Sequence, residues 1–351
     1  MKNTIFIRVD SSTKIGYGHF IRCMALADTL QKNFKINFIS RSLEGSLISD
    51  IQDKRFGIFR FYSNSEKIDE KNDAQKTISL IKKHSGQKNI LIIDNYQLSK
   101  KWETYVKPFV HKLIVIDDLS NRSHNCDLLI DQNLHTKVNG LYKGLIPSNC
   151  IKLIGPKFSM IRKKFRMLKK SVKPRTFPIK KILVSFGGSD PTNECKKALD
   201  ALCSIENSKF EIIVAAGIYN HKFEQLKKLY EKYSNIKIYR HVDELSRLMV
   251  NSDLFIGAGG TTTWERFYMG LPSIVTIISD DQKESIEFLS DMGHVINLGL
   301  AKNVTSKTYV QTLQKPNSDL IYDMSLHNQK LVDGNGSNRI KKQIIELIND
   351  A

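Results

Sequence analysis

The chain has 351 residues, of which 41% are hydrophobic and 26% are charged; this balance excludes an intrinsically disordered or collagen-like protein, and at about 150 residues per domain the length predicts two domains. The 54 lysine and arginine residues exceed the 36 acidic residues and give a formal net charge of +18. Such an excess favours an anionic partner, whether nucleic acid, an anionic membrane surface or a phosphorylated small molecule.

Strand-like and helix-like segments alternate through the first half of the chain. A β-type run at Asn3–Val9 is followed by a glycine-bearing loop and by a helical segment, His19–Gln31, in which apolar residues recur at helical spacing. Further strands are predicted at Lys35–Ile39, Gly57–Tyr62, Asn89–Asp94 and Lys112–Asp117. Several of these strands are apolar without alternation, which is typical of a parallel sheet covered by helices on both faces.

The segment 161–180 is basic and contains Pro174 and Pro178, so we interpret it as an interdomain linker. After it the alternation of strands and helices resumes. The predicted strands are Lys181–Phe186, Phe210–Ala215, Ile236–Tyr239, Leu254–Ile256 and Pro272–Ile277. The predicted helices are Asn193–Leu202, Lys222–Glu231, Glu244–Val250, Thr262–Met269, Lys283–Leu289 and, near the C-terminus, Ser337–Ile348.

This alternation predicts an α/β fold with two Rossmann-like domains that face each other across a cleft, with ligands at the carboxyl ends of both sheets. We expect an N-terminal domain over 1–160, the basic linker over 161–180 and a C-terminal domain over 181–351. The pattern gives no assignment for residues 299–332.

Several classes of protein are not expected. The apolar runs are shorter than the ~18 residues of a membrane span, and Met1–Asp10 lacks the apolar core of a signal peptide, so we expect a cytoplasmic protein. The five cysteines show no Cys-x-x-Cys spacing, which indicates neither a disulfide framework nor a zinc site. Arg162–Lys181 holds ten basic residues and no acidic one, but no nucleic-acid-binding module accompanies it. We therefore expect no nucleic-acid partner, no required membrane association and a monomer.

The loop from Asp10 to His19 is the first candidate site, because it leaves a predicted strand and opens a helix. Gly16 and Gly18 allow positive φ and close approach by a ligand. His19 falls in the first helical turn, where the helix dipole disfavours added positive charge, so we expect a neutral imidazole suited to a general base. These residues alone fit a catalytic histidine and a histidine that only packs the turn equally well.

The second candidate is the turn at Gly187 and Gly188, which follows the first strand of the second domain and precedes its first helix. Two glycines at such a turn expose backbone N–H groups, and the following helix adds its dipole, so the turn suits an anion. The same residues could equally form an ordinary capped start of a helix.

The third candidate is more informative, because a similar turn is followed by further polar residues at the same predicted sheet edge. Gly260, Thr261 and Thr262 would offer donors to a diphosphate, and Glu265 lies one turn further on, where its carboxylate could accept both hydroxyls of a ribose. Gln282 follows the next strand. The chain contains no Asp-x-Asp motif, so no metal is expected to balance the diphosphate charge.

These motifs carry a family resemblance. The Gly-x-x-Thr-x-x-Glu motif ending at Glu265, with Gly-x-Pro and Asp-Gln after it, is similar to the UDP-binding half of GT-B glycosyltransferases of the MurG type. More specific are the N-terminal Asp-Ser-Ser…Gly-x-Gly-His-x-x-Arg motif and three later ones. Those three are Leu43–Leu47, Ile92-Ile93-Asp94-x-Tyr96 and Ile116-Asp117-Asp118. Together they resemble the PseG family, the UDP-2,4-diacetamido-2,4,6-trideoxy-β-L-altropyranose hydrolases of pseudaminic acid biosynthesis, from residue 3 to about 298.

The resemblance implies a GT-B fold and an enzyme that hydrolyses a UDP-sugar. The C–O bond at the anomeric carbon would break with inversion, without a metal or another cofactor. His19 matches the catalytic histidine of the family, Glu265 would hold the ribose and the backbone near Val242 the uracil. The residues that would line the sugar pocket are Asp10, Arg22, Asp94 and Tyr96. Of these, Asp94 would orient either His19 or the sugar.

Three other functions stay open from the residues. A glycosyltransferase on the same scaffold would use His19 to activate an acceptor hydroxyl instead of water. A UDP-sugar 2-epimerase would act at C2 of the sugar, and a binder of nucleic acid or membranes would use Arg162–Lys181. Steady release of UDP from a UDP-sugar alone favours the hydrolase.

Overall fold

The structure, a computed structural model, describes residues 2–49, 55–63, 65–205, 210–240, 242, 244–314 and 318–349. The chain forms two compact units. The first comprises Met1–Arg162 together with Gly334–Ala351, and the second comprises Lys163–Asp333. Within the described ranges, no helix combines the length and the apolar character that crossing a lipid bilayer requires.

The first unit is built on one parallel sheet of seven strands. The strands are β1 (Thr4–Val9), β2 (Lys35–Ser42), β3 (Gly57–Tyr62), β4 (Asn89–Asp94), β5 (Lys112–Ile116), β6 (Leu128–Asp131) and β7 (Ile151–Ile154). Their spatial order is β3-β2-β1-β4-β5-β6-β7, so β1, β4 and β5 are neighbours. The residues that follow these three strands therefore meet at one edge of the sheet.

Successive side chains of β4 enter two different cores, which explains why this strand is apolar throughout. Ile90 and Ile92 pack in the core that contains Cys23 and Leu26 of helix α1 (Gly18–Leu30). Leu91 and Ile93 pack on the other face, with α2 (Glu70–Lys83) and α3 (Lys100–Val106). Helices therefore cover both faces of the sheet, as the sequence pattern predicts.

The second unit is built on a parallel sheet of six strands with the order β10-β9-β8-β11-β12-β13. These strands are β8 (Lys181–Ser185), β9 (Glu211–Ala215), β10 (Ile236–Tyr239), β11 (Leu254–Ala258), β12 (Ser273–Ile277) and β13 (Ile296–Leu300). Its helices are α4 (Lys163–Leu168), α5 (Glu194–Ser204), α6 (Phe223–Tyr230), α7 (Leu245–Val250), α8 (Thr263–Tyr268), α9 (Lys283–Asp291), α10 (Ser306–Leu313) and α11 (Ser318–Leu331).

The sequence gives no assignment to residues 299–332, and the structure shows that α10 and α11, which lie in this range, contribute to the core of the second unit. Tyr309 on α10 is fully buried, and its hydroxyl donates to Glu194 Oε2 of α5 at 2.9 Å. The same hydroxyl oxygen lies 2.7 Å from Thr276 Oγ1 on β12. This buried chain of hydrogen bonds ties α10 to the helix and the strand beneath it.

Two cations of the basic segment are structural parts of the second unit. Lys169 Nζ donates to the carbonyl oxygen of Tyr268 at 2.5 Å, where α8 ends. Arg175 is buried and donates to the carbonyl oxygens of Met249 and Ser252, at 2.8 and 2.9 Å, where α7 ends. A positive charge stabilises the C-terminus of a helix, so these two residues of the expected linker also stabilise helices of the second unit.

The C-terminal helix α12 (Gly336–Asn349) corrects the expected domain over 181–351, because it belongs to the first unit. Its fully buried Ile340 and Ile344 pack in the core of α1. In addition, Lys88 Nζ donates to the carbonyl oxygen of Ile348 at 2.7 Å. The helical spacing predicts that one face of this helix is buried but does not specify against which sheet.

A buried histidine in the first unit lies between two carboxylates. His124 Nδ1 is 2.7 Å from Glu103 Oε1, and Nε2 is 3.6 Å from Asp117 Oδ1. Burial opposes protonation, but the hydrogen bond to Glu103 and the negative charges of Glu103 and Asp117 outweigh it and raise the pKa of His124 from 6.5 to about 9. The imidazolium therefore stabilises the first unit at neutral pH.

We expect this contribution to disappear at alkaline pH. It is complete below the pKa of the unfolded chain, near 6.5, and is lost as the pH rises through the folded pKa of about 9; the difference corresponds to about 3 kcal/mol. Urea unfolding between pH 6 and 10, followed by Trp102 fluorescence in a Trp264→Phe background, measures it. His124→Gln should remove this part of the pH dependence, and the same slope in both proteins would contradict the assignment.

Candidate active site

The first candidate catalytic group is a histidine–aspartate pair at the carboxyl edge of the first sheet. The loop after β1 includes Gly16 at φ +84°, and Gly18 begins α1, so His19 stands in the first turn of that helix. His19 Nδ1 lies 2.6 Å from Oδ1 of Asp94, the last residue of the neighbouring strand β4. The loop and the strand therefore bring together two residues that are 75 positions apart.

The charge state of Asp94 decides which nitrogen of His19 carries the proton. Burial alone would raise the pKa of this carboxyl group, but Arg22 and His19 hold it well below its usual value, so Asp94 is ionised. An ionised carboxylate only accepts hydrogen bonds, and we therefore place the imidazole proton on Nδ1. The lone pair of Nε2 is then available to accept a proton from another group.

Arg22 and Tyr96 complete the surroundings of this pair. Arg22 Nε and Nη2 donate to the two oxygens of Asp94 at 2.6 and 2.7 Å. The Tyr96 ring meets the imidazole edge-on, with 4.5 Å between ring centroids. Asp118, which follows β5, accepts from Arg22 Nη1 at 2.6 Å and from the Tyr96 hydroxyl. The structure thus brings four of the predicted site residues into contact, and it adds Asp118 to them. The four are His19, Arg22, Asp94 and Tyr96.

Asp10 lies at the same sheet edge but in a separate, buried ion network. Its oxygens accept from Arg8 Nη1 at 2.5 Å, from Arg41 Nε at 2.8 Å and from Asn95 Nδ2 at 2.8 Å. Burial would raise its pKa, but the two arginines lower it to about 2. The carboxylate is 1% exposed, and it holds the ends of β1, β2 and β4 together.

In the second unit, the predicted glycine turns follow neighbouring strands. Gly187 and Gly188 come after β8, and Gly260, Thr261 and Thr262 come after β11, its neighbour in the sheet. Gln282 follows β12, the next strand along, and its side-chain oxygen accepts from Ile278 N at 3.3 Å. These residues therefore share one edge, where backbone N–H groups and helix N-termini suit an anion.

The backbone of the Gly187–Gly188 turn leaves room for a ligand. Gly187 has φ +83°, and a Cβ atom built on it would meet nothing within 4 Å. Gly217 packs against this turn so closely that a Cβ atom on Gly217 would lie 2.3 Å from the Gly187 carbonyl oxygen. Sequence reasoning missed Gly217, because a single glycine after a strand carries no motif of its own.

Two further predicted residues of the second unit do not lie in the glycine turns. Glu265 is on α8 and is buried, with 4% of its surface exposed. Val242 follows β10 and is half-buried. Among the residues that the structure describes, no cluster of three or more histidine, cysteine, aspartate or glutamate side chains could hold a metal ion.

Comparison with known proteins gives relatives for both units. Residues 182–342 match the glycosyltransferase family 28 C-terminal domain. An uncharacterized protein of Methanocaldococcus jannaschii is 29% identical over 289 residues, which are 80% of this chain but only 57% of that protein. The UDP-2,4-diacetamido-2,4,6-trideoxy-β-L-altropyranose hydrolase of Campylobacter jejuni is 26% identical over 293 residues, 83% of this chain and 98% of that hydrolase.

Solved structures agree on the fold. MurG of Acinetobacter baumannii has a TM-score of 0.67 at 13% identity and covers 99% of this chain and 100% of its own. The S. aureus MnaA–UDP structure has a TM-score of 0.68 at 13% identity, with 99% and 97% covered. These findings confirm the resemblance that the motifs predict: the chain is similar to the PseG hydrolase of Campylobacter jejuni, and it has the two-sheet α/β fold of GT-B glycosyltransferases such as MurG.

Proposed function

We propose that the protein hydrolyses UDP-2,4-diacetamido-2,4,6-trideoxy-β-L-altrose to UDP and the free sugar, with inversion, in pseudaminic acid biosynthesis. The observation that carries the proposal is the 2.6 Å contact between His19 Nδ1 and Asp94 Oδ1. The similarity to the Campylobacter hydrolase, which extends over 83% of this chain, supports the choice of substrate and reaction.

His19 serves as the general base in this mechanism. Its Nε2 accepts a proton from a water molecule while the water oxygen forms a bond to the anomeric carbon. The bond between that carbon and the diphosphate oxygen breaks, and UDP leaves with the electron pair. Attack on the face opposite the diphosphate inverts the anomeric centre. Asp94 stabilises the imidazolium that forms.

The second unit binds the nucleotide in this proposal. The N–H groups at Gly187, Gly188 and the Gly260–Thr262 turn would hold the diphosphate, because they share one sheet edge and Gly187 leaves space beside it. Glu265 would accept the ribose hydroxyls, Gln282 would support the same edge, and the backbone near Val242 would hold the uracil.

A glycosyltransferase is the second candidate. It is favoured by the family 28 match over residues 182–342. A Lactococcus lactis N-acetylglucosamine transferase that acts on an undecaprenol-linked acceptor is also 25% identical, over 47% of this chain. In that case His19 would remove the proton from an acceptor hydroxyl, and water would not react.

Incubation of the UDP-sugar alone in ¹⁸O-labelled water tests the hydrolase. We expect steady release of UDP, with the label in the sugar and none in UDP, because water attacks carbon. The anomeric hydroxyl of a free sugar also exchanges with water, so unlabelled product kept in labelled water for the same time is the control. Label in UDP would mean attack at phosphorus, and no UDP without an added acceptor would favour the transferase.

A further inference from the structure

We propose that Asp118 is a positioning residue for His19 and that it acts through Arg22 and Tyr96. The inference rests on the proposed role of His19 as the general base. Asp118 follows β5, the strand next to β4, and its side chain is 12% exposed. Its two oxygens bind two side chains that in turn touch the imidazole or its carboxylate partner.

The first of these connections fixes the plane of a guanidinium group. Arg22 Nη1 donates to Asp118 Oδ2 at 2.6 Å, while Nε and Nη2 donate to both oxygens of Asp94. Nη2 also lies 3.0 Å from His19 Nδ1. A guanidinium group is planar and rigid, so its attachment to Asp118 determines where it holds Asp94. Asp94 Oδ1 is thereby kept facing Nδ1 of the imidazole.

The second connection fixes an aromatic ring. The Tyr96 hydroxyl donates to Asp118 Oδ1, and its ring lies at 88° to the imidazole. Burial and the neighbouring Asp118 raise the pKa of Tyr96, so the hydroxyl keeps the proton that it donates. The guanidinium carbon of Arg122 lies 5.4 Å from the centroid of the same ring. The imidazole is therefore restrained by a hydrogen bond and by a ring contact, and both restraints depend on Asp118.

The first test needs no substrate. In protein labelled with ¹⁵N-histidine, the Nδ1 proton that His19 shares with Asp94 gives a downfield resonance, identified by its loss in His19→Asn. We expect Asp118→Asn to shift this resonance or broaden it beyond detection. Asp28→Asn is the matched control. It removes a carboxylate of α1, the helix that carries His19, and this carboxylate pairs with Arg55 at 3.2 Å. An unchanged resonance in folded Asp118→Asn overturns the proposal.

The second test is a double-mutant cycle on kcat. Asp118→Asn should lower kcat about 10- to 100-fold in the native background, but by less than about twofold in His19→Asn, since the effect acts through the imidazole. An equal loss in both backgrounds would assign Asp118 a general structural role and overturn the proposal. If His19→Asn alone leaves kcat unchanged, the proposed function fails. The His19 Nδ1 proton resonance in Asp118→Asn then remains the test of whether Asp118 positions the imidazole.

Tyr96→Phe keeps the inference testable if Asp118→Asn does not fold. It removes only the hydroxyl that donates to Asp118 and retains the ring beside the imidazole. We expect Tyr96→Phe to shift the His19 resonance. We also expect it to lower kcat when His19 is present but not in the His19→Asn background. Native values of both in folded Tyr96→Phe would contradict the role of Asp118.

Discussion

Replacing His19 by asparagine is expected to lower kcat by about 10²–10⁴-fold, the usual contribution of a general base. Asparagine has no group that can accept the proton of water and later release it. The dissociation constant of UDP should change by less than about twofold, because the proposed nucleotide contacts belong to the second unit and a base acts mainly in the transition state. Single-turnover kinetics with the UDP-sugar and calorimetric titration with UDP measure the two quantities.

His84→Asn is the matched control for this substitution. His84 is also in the first unit, where it follows α2 and packs against Phe59 with 4.4 Å between ring centroids. It should retain native kcat. A folded His19→Asn protein with near-native turnover would remove His19 from the mechanism and leave the chain with the GT-B fold but no identified base.

Much of the architecture could be predicted from local patterns. Strands such as Ile90–Ile93 are apolar throughout because each face of the sheet is covered, and this signal lies within a few residues. The four-residue strands β6 and β7 are too short to show a period. The hydrophobic pattern also did not predict helix α11, because the buried face of this helix includes the polar Ser325 and Asn328 beside Ile321 and Met324.

Those residues of the candidate site that belong to a local sequence motif could be predicted. Glycines next to His19 at a strand-to-helix turn mark the loop, and an aspartate at the end of an apolar strand marks Asp94. The pairing of Nδ1 with Oδ1 and the place of Asp118 depend on the order of strands in the sheet. The same holds for Asp10, whose partners Arg41 and Asn95 come from two other strand ends. No local pattern specifies which strands become neighbours.

Asp94→Asn tests the histidine–aspartate pair most directly, since it changes the charge and keeps the shape. We expect kcat to fall by about 10²–10⁴-fold. The amide presents its oxygen to the guanidinium donors of Arg22 and its NH2 group to His19 Nδ1. That nitrogen must then accept, so the imidazole proton moves to Nε2 and the lone pair needed for the water is lost.

The affinity for UDP should stay within about twofold of the native value, because the proposed nucleotide contacts belong to the second unit and Asp94 acts on the imidazolium that forms during the reaction. The side chain is buried beside Arg22, so thermal unfolding must first establish that the variant is folded. Asp28→Asn, a loss of one carboxylate elsewhere in the first unit, should keep native kcat and serves as the matched control. A folded Asp94→Asn protein with native kcat would show that the 2.6 Å contact with His19 plays no part in the reaction.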